Sequence, residues 1–408
     1  MMQVQRTHAA TLEHQGARTP ELRNACSGLL ISLAMLCGVS FADDEPAAKP
    51  EAESRQTVLL VVGAPGSQEY GEAFAAWAGR WREAAEKADA VCLRIGPGSG
   101  DADENRGAAE GEQVEETKSS PTNDRDQLQE QLAILSKSSP ESVWLVLIGH
   151  GTFDGKTAKF NLRGPDVSAE QLASWLEPLD APLAVINCAS ASGPFVNGLS
   201  REGRVIVTST KSGYEYNYAR FGDYLSAAII DPTADLDKDE QTSLLEAYLA
   251  ASARTQEFYE QEARLATEHS LLDDNGDALG TPAEFFQGFR TVRAAKDGAS
   301  PDGARAKQFV LLRRGREAEM PSEVRRRRDE LELEIEKLRQ RKSQLATDAY
   351  YTQLEPLLIK MARLYQELEP SATEASNPPD ANQTSEPAAS EGDGRQESGG
   401  ASNKKIEQ

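Results

Sequence analysis

Short uninterrupted runs of apolar and β-branched residues recur along this chain, and between them apolar residues return every three or four positions. Thr57-Val-Leu-Leu-Val-Val62, Ala90-Val-Cys-Leu-Arg-Ile95, Val143-Trp-Leu-Val-Leu-Ile148, Pro182-Leu-Ala-Val-Ile-Asn187 and Arg204-Val-Ile-Val-Thr-Ser209 are the runs. Without polar alternation they suit strands buried on both faces, as in a parallel sheet covered by helices. Phe74, Trp77, Trp81 and Ala84 or Ala85 form a helical stripe after the first run, and Leu128, Leu132 and Leu135 mark a helix over 124–137. Ser168-Ala-Glu-Gln171 has the spacing of a capping box, opening a short helix through Leu172 and Trp175 that stops before Pro178. Further helices are expected near 195–199 and over 216–230. This alternation predicts an α/β fold, a mostly parallel sheet with helices on both faces.

That domain is expected to span 57–295. Past it, Gln308-Phe-Val-Leu-Leu312 has no obvious place, and residues 321–369 predict a helical pair or coiled coil. In the first helix Val324, Leu331, Leu338 and Leu345 recur every seven residues, though Arg328 and Lys342 occupy seam positions; in the second Leu354, Leu357, Met361, Leu364 and Leu368 form a stripe with Thr352 as N-cap. Packing back on the domain and self-association are both open readings for this pair. Residues 98–123, acidic and nearly free of aliphatics, predict a mobile insertion, and 370–408 a disordered tail.

Only 39% of residues are hydrophobic and the net charge is -22, which argues against nucleic acid and anionic membrane surfaces as partners. Gly28 to Ala42 is apolar but too short and too rich in small residues for a comfortable span; with Arg18 and Arg23 before it and Ser40-Phe-Ala42 at its end, it predicts a signal peptide over 1–42, a linker over 43–56 and an exported, periplasmic or extracellular, protein. After cleavage only Cys92, Cys188, His150 and His269 remain. No disulfide framework or CxxC zinc site can be built from them.

Two of those four stand at strand ends. Val143 to Ile148 runs into Gly149-His150-Gly151, and the next run, ending at Asn187, is followed directly by Cys188. Parallel neighbours would deliver both to the carboxyl edge of the sheet, where open α/β folds keep their sites. A thiol and an imidazole there are the parts of a nucleophile and its proton-transfer partner. The backbone N–H groups of Gly151 and Cys188 would form an oxyanion hole, and Ala189-Ser-Ala-Ser-Gly193 would leave room for a peptide. Each half alone is as well explained by a structural histidine or a small core residue.

Together, Leu145-Val-Leu-Ile-Gly-His-Gly151 and Leu183-Ala-Val-Ile-Asn-Cys-Ala-Ser-Ala-Ser-Gly193 resemble the paired His-Gly and strand-Cys blocks of legumain- and caspase-type cysteine peptidases, including bacterial gingipain-like members. The resemblance covers roughly 57–293. It implies a caspase-haemoglobinase fold, a protein or peptide substrate, and endopeptidase activity through a Cys188–His150 dyad and an acyl-enzyme. It also implies that Thr208-Ser-Thr-Lys-Ser-Gly-Tyr-Glu215 builds the first specificity pocket, with Thr210 and Glu215 as its substrate-binding candidates. Ala189 stands where legumains carry an acid, and no basic residue follows the first strand.

Two acidic loops have the oxygen-ligand spacing of calcium sites: Asp235, Asp237 and Asp239 with Glu246, and Asp273, Asn275 and Asp277 with Glu284. Glu240 and Ala278 replace the loop glycines, so structural calcium and plain acidic turns both remain open; no other cofactor is expected. Two function classes follow: an exported cysteine endopeptidase, and a catalytically silent scaffold that keeps the fold and binds partners.

Overall fold

The structure, a computed structural model, describes residues 55–98, 123–293, 296 and 300–368. The expected signal peptide and tail lie outside these residues, as do the linker and the acidic insertion apart from 55–56, 98 and 123. Among the described residues no helix is long and apolar enough to cross a membrane.

In chain order the elements are β1 (Thr57–Val62), α1 (Gln68–Lys87), β2 (Val91–Ile95), α2 (Asp124–Ser138), β3 (Val143–Ile148), β4 (Gly151–Phe153), β5 (Ala158–Phe160), β6 (Val167–Ser168), α3 (Ala169–Leu176), β7 (Leu183–Asn187), α4 (Pro194–Leu199), β8 (Arg204–Thr208), α5 (Phe221–Ala228), α6 (Leu244–Gln261), β9 (Leu271–Asp273), β10 (Thr281–Pro282), β11 (Phe286–Gln287), β12 (Arg290–Thr291), α7 (Gly315–Glu319), α8 (Ser322–Gln340) and α9 (Thr347–Leu368). The main sheet has the order β2-β1-β3-β7-β8-β9-β10. Its first five strands are parallel, and β9 and β10 add an antiparallel edge.

Residue alternation within the strands divides the core. Val58, Leu60, Trp144, Val146, Ile148, Ala184 and Ile186 pack under α1, α5 and α6, whereas Leu59, Val61, Leu145, Leu147 and Val185 pack under α2, α3 and α4. The expected stripes are the buried faces of α1 and α2. Ser168 and Gln171 make the full capping box at the start of α3.

Several expectations need correcting. The core does not end near 295: Ala306, Phe309 and Leu311 are buried in it, with the Phe309 ring 5.4 Å from that of Trp144. The helix expected from Tyr216 begins only at Phe221, because the Glu268 carboxylate accepts the Arg220 and Phe221 N–H groups and pins the helix start there. α9 begins at Thr347, so Thr352 lies inside it, donating to the Asp348 carbonyl, and Pro356 is interior. Cys92 sits on the edge strand β2 and is only partly buried, with its thiol pushed up by desolvation.

α8 and α9 form a helical hairpin that docks on its own domain. The Arg325 Nη1 lies 2.5 Å from Glu141 Oε1, and the Arg313 Nη1 lies 2.8 Å from the same oxygen. Arg328, out of place in an apolar seam, is accommodated by Asp329 at 2.7 Å and by Glu317. A cavity of about 510 Å³ lies between α8 and the amino edge of the sheet, lined by Gln56, Pro140, Phe309, Arg313 and Leu333 among others.

Candidate active site

His150 follows β3 on the face that also carries Trp144, Val146 and Ile148, so it points toward α1. Its ring lies 4.8 Å from Tyr70, 5.1 Å from Phe74 and 6.4 Å from Tyr218, centroid to centroid. Nε2 is 3.1 Å from the Pro65 carbonyl oxygen. A carbonyl only accepts, so Nε2 carries the hydrogen and Nδ1 of the neutral ring keeps its lone pair. Pro65, in the turn after β1, thus sets the tautomer of a prospective base. Beside it, burial pushes the Tyr218 hydroxyl up to about 12.

Cys188 continues the alternation of Ala184 and Ile186 and therefore faces the same core layer. It is 1% exposed, and Gly222 at the start of α5 lies so close that a Cβ there would stand 3.0 Å from Sγ and 2.6 Å from Cys188 Cβ. Burial pushes the thiol up to about 12, far from the thiolate a nucleophile needs. No hydrogen bond joins it to His150 among the described residues. The rim is shared by the two residues, but sulfur and imidazole are not paired.

Both expected oxyanion donors are also engaged. The Cys188 N–H donates to the Leu147 carbonyl at 2.9 Å, and the Gly151 N–H to Ser190 Oγ at 3.3 Å. Ser190 Oγ in turn donates to the Gly151 carbonyl at 3.2 Å. The two segments touch so closely that a Cβ at Gly151 would stand 2.1 Å from the Ser190 carbonyl oxygen, which only glycine permits.

The specificity candidates have structural tasks. Thr210 is fully buried; its Oγ1 accepts the Gly193 N–H at 3.0 Å and lies 3.2 Å from Ser192 Oγ. Glu215 ties the 211–215 loop to the rim: its carbonyl accepts the Ala191 N–H at 2.8 Å, and its carboxylate takes the Lys211 N–H and sits 2.5 Å from His269 Nδ1. Tyr214 and Tyr216, on the same loop, are about two-thirds exposed. Pro65 and Tyr218 were not singled out by sequence, and Ser190 and His269 were named there without a role of their own.

Of the two acidic loops, the first converges: Asp235, Asp237 and Asp239 each place a carboxylate oxygen within 4.8 Å of the others. Their proximity and burial push Asp239 up, burial contributing most. Lys307 Nζ lies 2.9 Å from Asp237 Oδ2 and offsets part of this charge. Glu246, the expected twelfth ligand, instead caps α6 with Ser243 and accepts the Leu236 N–H at 2.7 Å. In the second loop Asp273, Asn275, Asp277 and Glu284 are not gathered into such a cluster among the described residues. Asp273 accepts the Gly276 N–H, Asn275 reaches the Ser300 carbonyl, Asp277 accepts the Leu279 N–H, and Glu284 belongs to a 3-10 turn over 283–285.

No protein-family profile matches the chain, and no curated protein matches it. Among solved structures it is similar to the Drosophila initiator caspase Dronc, at 13% identity and a TM-score of 0.34, over 55% of this chain and 83% of that one. It is also similar to caspase-1 from Spodoptera frugiperda, at 8% identity and a TM-score of 0.34, over 55% of this chain and 87% of that one. A superposition that loose transfers neither mechanism nor substrate. The mostly parallel α/β architecture with its His-Gly and strand-Cys rim follows from the strand pairing itself.

Proposed function

We propose that this chain is an exported hydrolase of peptide bonds that works at the carboxyl rim of the sheet, with His150 as the proton carrier. The observation that carries this reading is the 3.1 Å contact of His150 Nε2 with the Pro65 carbonyl, which assigns the hydrogen to Nε2 and leaves Nδ1 as the nitrogen that can take a proton. The resemblance of its rim segments to legumain- and gingipain-type peptidases supports the same reaction class, with a protein or peptide as substrate. A concavity lined by Pro65 to Gln68, Gly71, Glu72 and Ala75 shares Pro65 with the surroundings of His150. Calcium in the loop of Asp235, Asp237 and Asp239 belongs to this reading as a structural ion.

The rival reading, a silent scaffold presenting α8, α9 and the acidic tail to partners, is favoured by one observation: the Cys188 thiol is sealed under α5. Cleavage of a fluorescently labelled, unfolded protein by the full chain separates the two. We expect turnover, and His150→Ala should lower it by about a thousandfold. Equal background rates for the two proteins would leave the scaffold.

A further inference from the structure

We infer that α9 pairs with α9 of a second copy of this chain, antiparallel, about a two-fold axis at Leu358. The helix carries two apolar seams, and among the described residues only one is used. Tyr350, Leu354, Leu357, Met361, Leu364 and Leu368 recur at spacings of four and three toward α8, with Tyr350 and Leu364 buried. One position further round, Tyr351, Leu358 and Tyr365, with Glu355 and Ala362 between them, repeat the same spacing on the outer side. Tyr351 is 55% exposed, Leu358 49% and Tyr365 43%, and Ile359 beside them 44%. Tyr365 keeps one edge on α8, where Arg328 reaches its hydroxyl. Residues seven apart on a helix stay within about 20° of one line, so these three form a straight ridge.

The rest of the chain has little with which to cover that ridge. Outside the described residues, the sequence from 43 onward holds only Val114 and Ile406 among the large apolar and aromatic types. The remaining apolar stretch, Gly28 to Ala42, belongs to the expected signal peptide. A membrane surface is a poor match as well. Helices that lie on one are rich in Lys and Arg along the polar face, whereas α9 sets Lys360 and Arg363 against Asp348, Glu355 and Glu367. Tyrosine, by contrast, is enriched at protein interfaces.

The symmetry of the ridge favours a copy of itself. Tyr351 and Tyr365 each lie seven residues from Leu358. Turned end for end about that leucine, a second α9 sets its Tyr365 on the first Tyr351 and its Leu358 on the first Leu358, the self-complementary patch that a two-fold contact requires. The two Glu355 carboxylates are then staggered by about 9 Å along the axis and do not meet. A face about 33 Å long and about 10 Å wide is smaller than the roughly 800 Å² per partner of a standard interface, so the dimer is reversible.

Sedimentation equilibrium of the full chain between about 1 and 200 µM tests this. The mass should climb from one copy toward two across that range. Leu358→Asp sets two carboxylates on the axis and should weaken association at least about tenfold, with little change in the melting temperature because the leucine is half exposed. Leu265→Asp, which charges another exposed leucine, should leave association as it is. Register is read by oxidative cross-linking against the wild-type thiols. Leu358→Cys should link to itself, and Tyr351→Cys should link to Tyr365→Cys in a mixture faster than to itself. This arm decides even where Leu358→Asp disturbs folding: Tyr351→Cys linking mainly to itself, as in a parallel pair, overturns the proposal. A wild type that stays a monomer throughout, or a dimer untouched by a folded Leu358→Asp, overturns it too. So does a monomer that floats with phosphatidylglycerol vesicles, which assigns the ridge to a membrane surface.

Discussion

Gly222 decides where the sulfur of Cys188 can go. A Cβ at this position would meet Cys188 Cβ at 2.6 Å and the Trp77 ring at 2.8 Å, both within a packed layer that cannot yield cheaply. Gly222→Ala should therefore cost about 1 to 3 kcal/mol in a urea melt, the usual penalty of overpacking. Combining it with Cys188→Gly, which removes the atom it strikes, should destabilise by about 1 kcal/mol less than the two single changes together. Strict additivity would mean that helix and thiol do not touch. The same glycine explains why a strand-end cysteine, placed by sequence at the rim, turns inward: space under α5 is provided for a small side chain there.

At the scale of elements, the five parallel strands, most helices and the capping box at Ser168 were legible because burial on two faces and helical period leave plain marks in sequence, whereas the short strands β4 to β6 and β9 to β12 were not. Elements whose bounds depend on distant groups were not. The start of α5 is set by Glu268, which lies far along the chain, and no local pattern near Tyr216 records it. For the site, the rim position of His150 and Cys188 was legible from where the apolar runs stop; the direction of the thiol and the contact between Ser190 and Gly151 depend on tertiary packing.

The acidic loops show a case where a noted irregularity has a structural counterpart. Glu240 and Ala278, standing where calcium loops carry glycine, have φ +71° and +61°. Ala278 is kept there by its N–H to Ser200 Oγ at 2.9 Å and its carbonyl to Asn197 Nδ2 at 2.9 Å. Ala278→Gly should stabilise the fold by about 0.5 to 1 kcal/mol, the left-handed penalty removed less the extra freedom of glycine when unfolded. An unchanged melt would mean that the turn adopts another conformation in solution. For the Asp235 loop, about 5 mM calcium should raise the melting temperature over EDTA by mass action, whereas magnesium should do so poorly. Identical melts would leave Lys307 as the only counter-charge needed.

The whole molecule depends on the segment after β12. Asp274 accepts the N–H groups of Gly303, Arg305 and Ala306, and Asp302 accepts the Asp274 N–H and bonds Thr281. Burial, then the nearby Asp274, push Asp302 up to about 8. An unfolded aspartate titrates near about 3.9, so across this window the folded chain holds a proton that the unfolded chain has released. Asp302 should thus contribute stability below about pH 4 that is lost as pH rises through about 8. Asp302→Asn should flatten that decline and melt higher than the wild type under alkaline conditions; parallel curves for the two proteins would place the proton elsewhere. Likewise a chain ending at 298 should fail to melt cooperatively, whereas one ending at 369 should do so, since Phe309 and Leu311 complete the layer over Trp144.

Gln56, immediately before the first strand, donates its side-chain N–H to the Leu311 carbonyl at 3.1 Å across 255 residues of sequence, while its oxygen holds Ser142 and Trp144. As the polypeptide leaves the ribosome, the beginning of the sheet has to wait for a segment made much later, and closing so long a loop is slow. The nascent chain should therefore stay open, and in need of a holding chaperone, until most of it has been synthesised. For a chain proposed to be exported, slow closure of the sheet would leave time for translocation before folding.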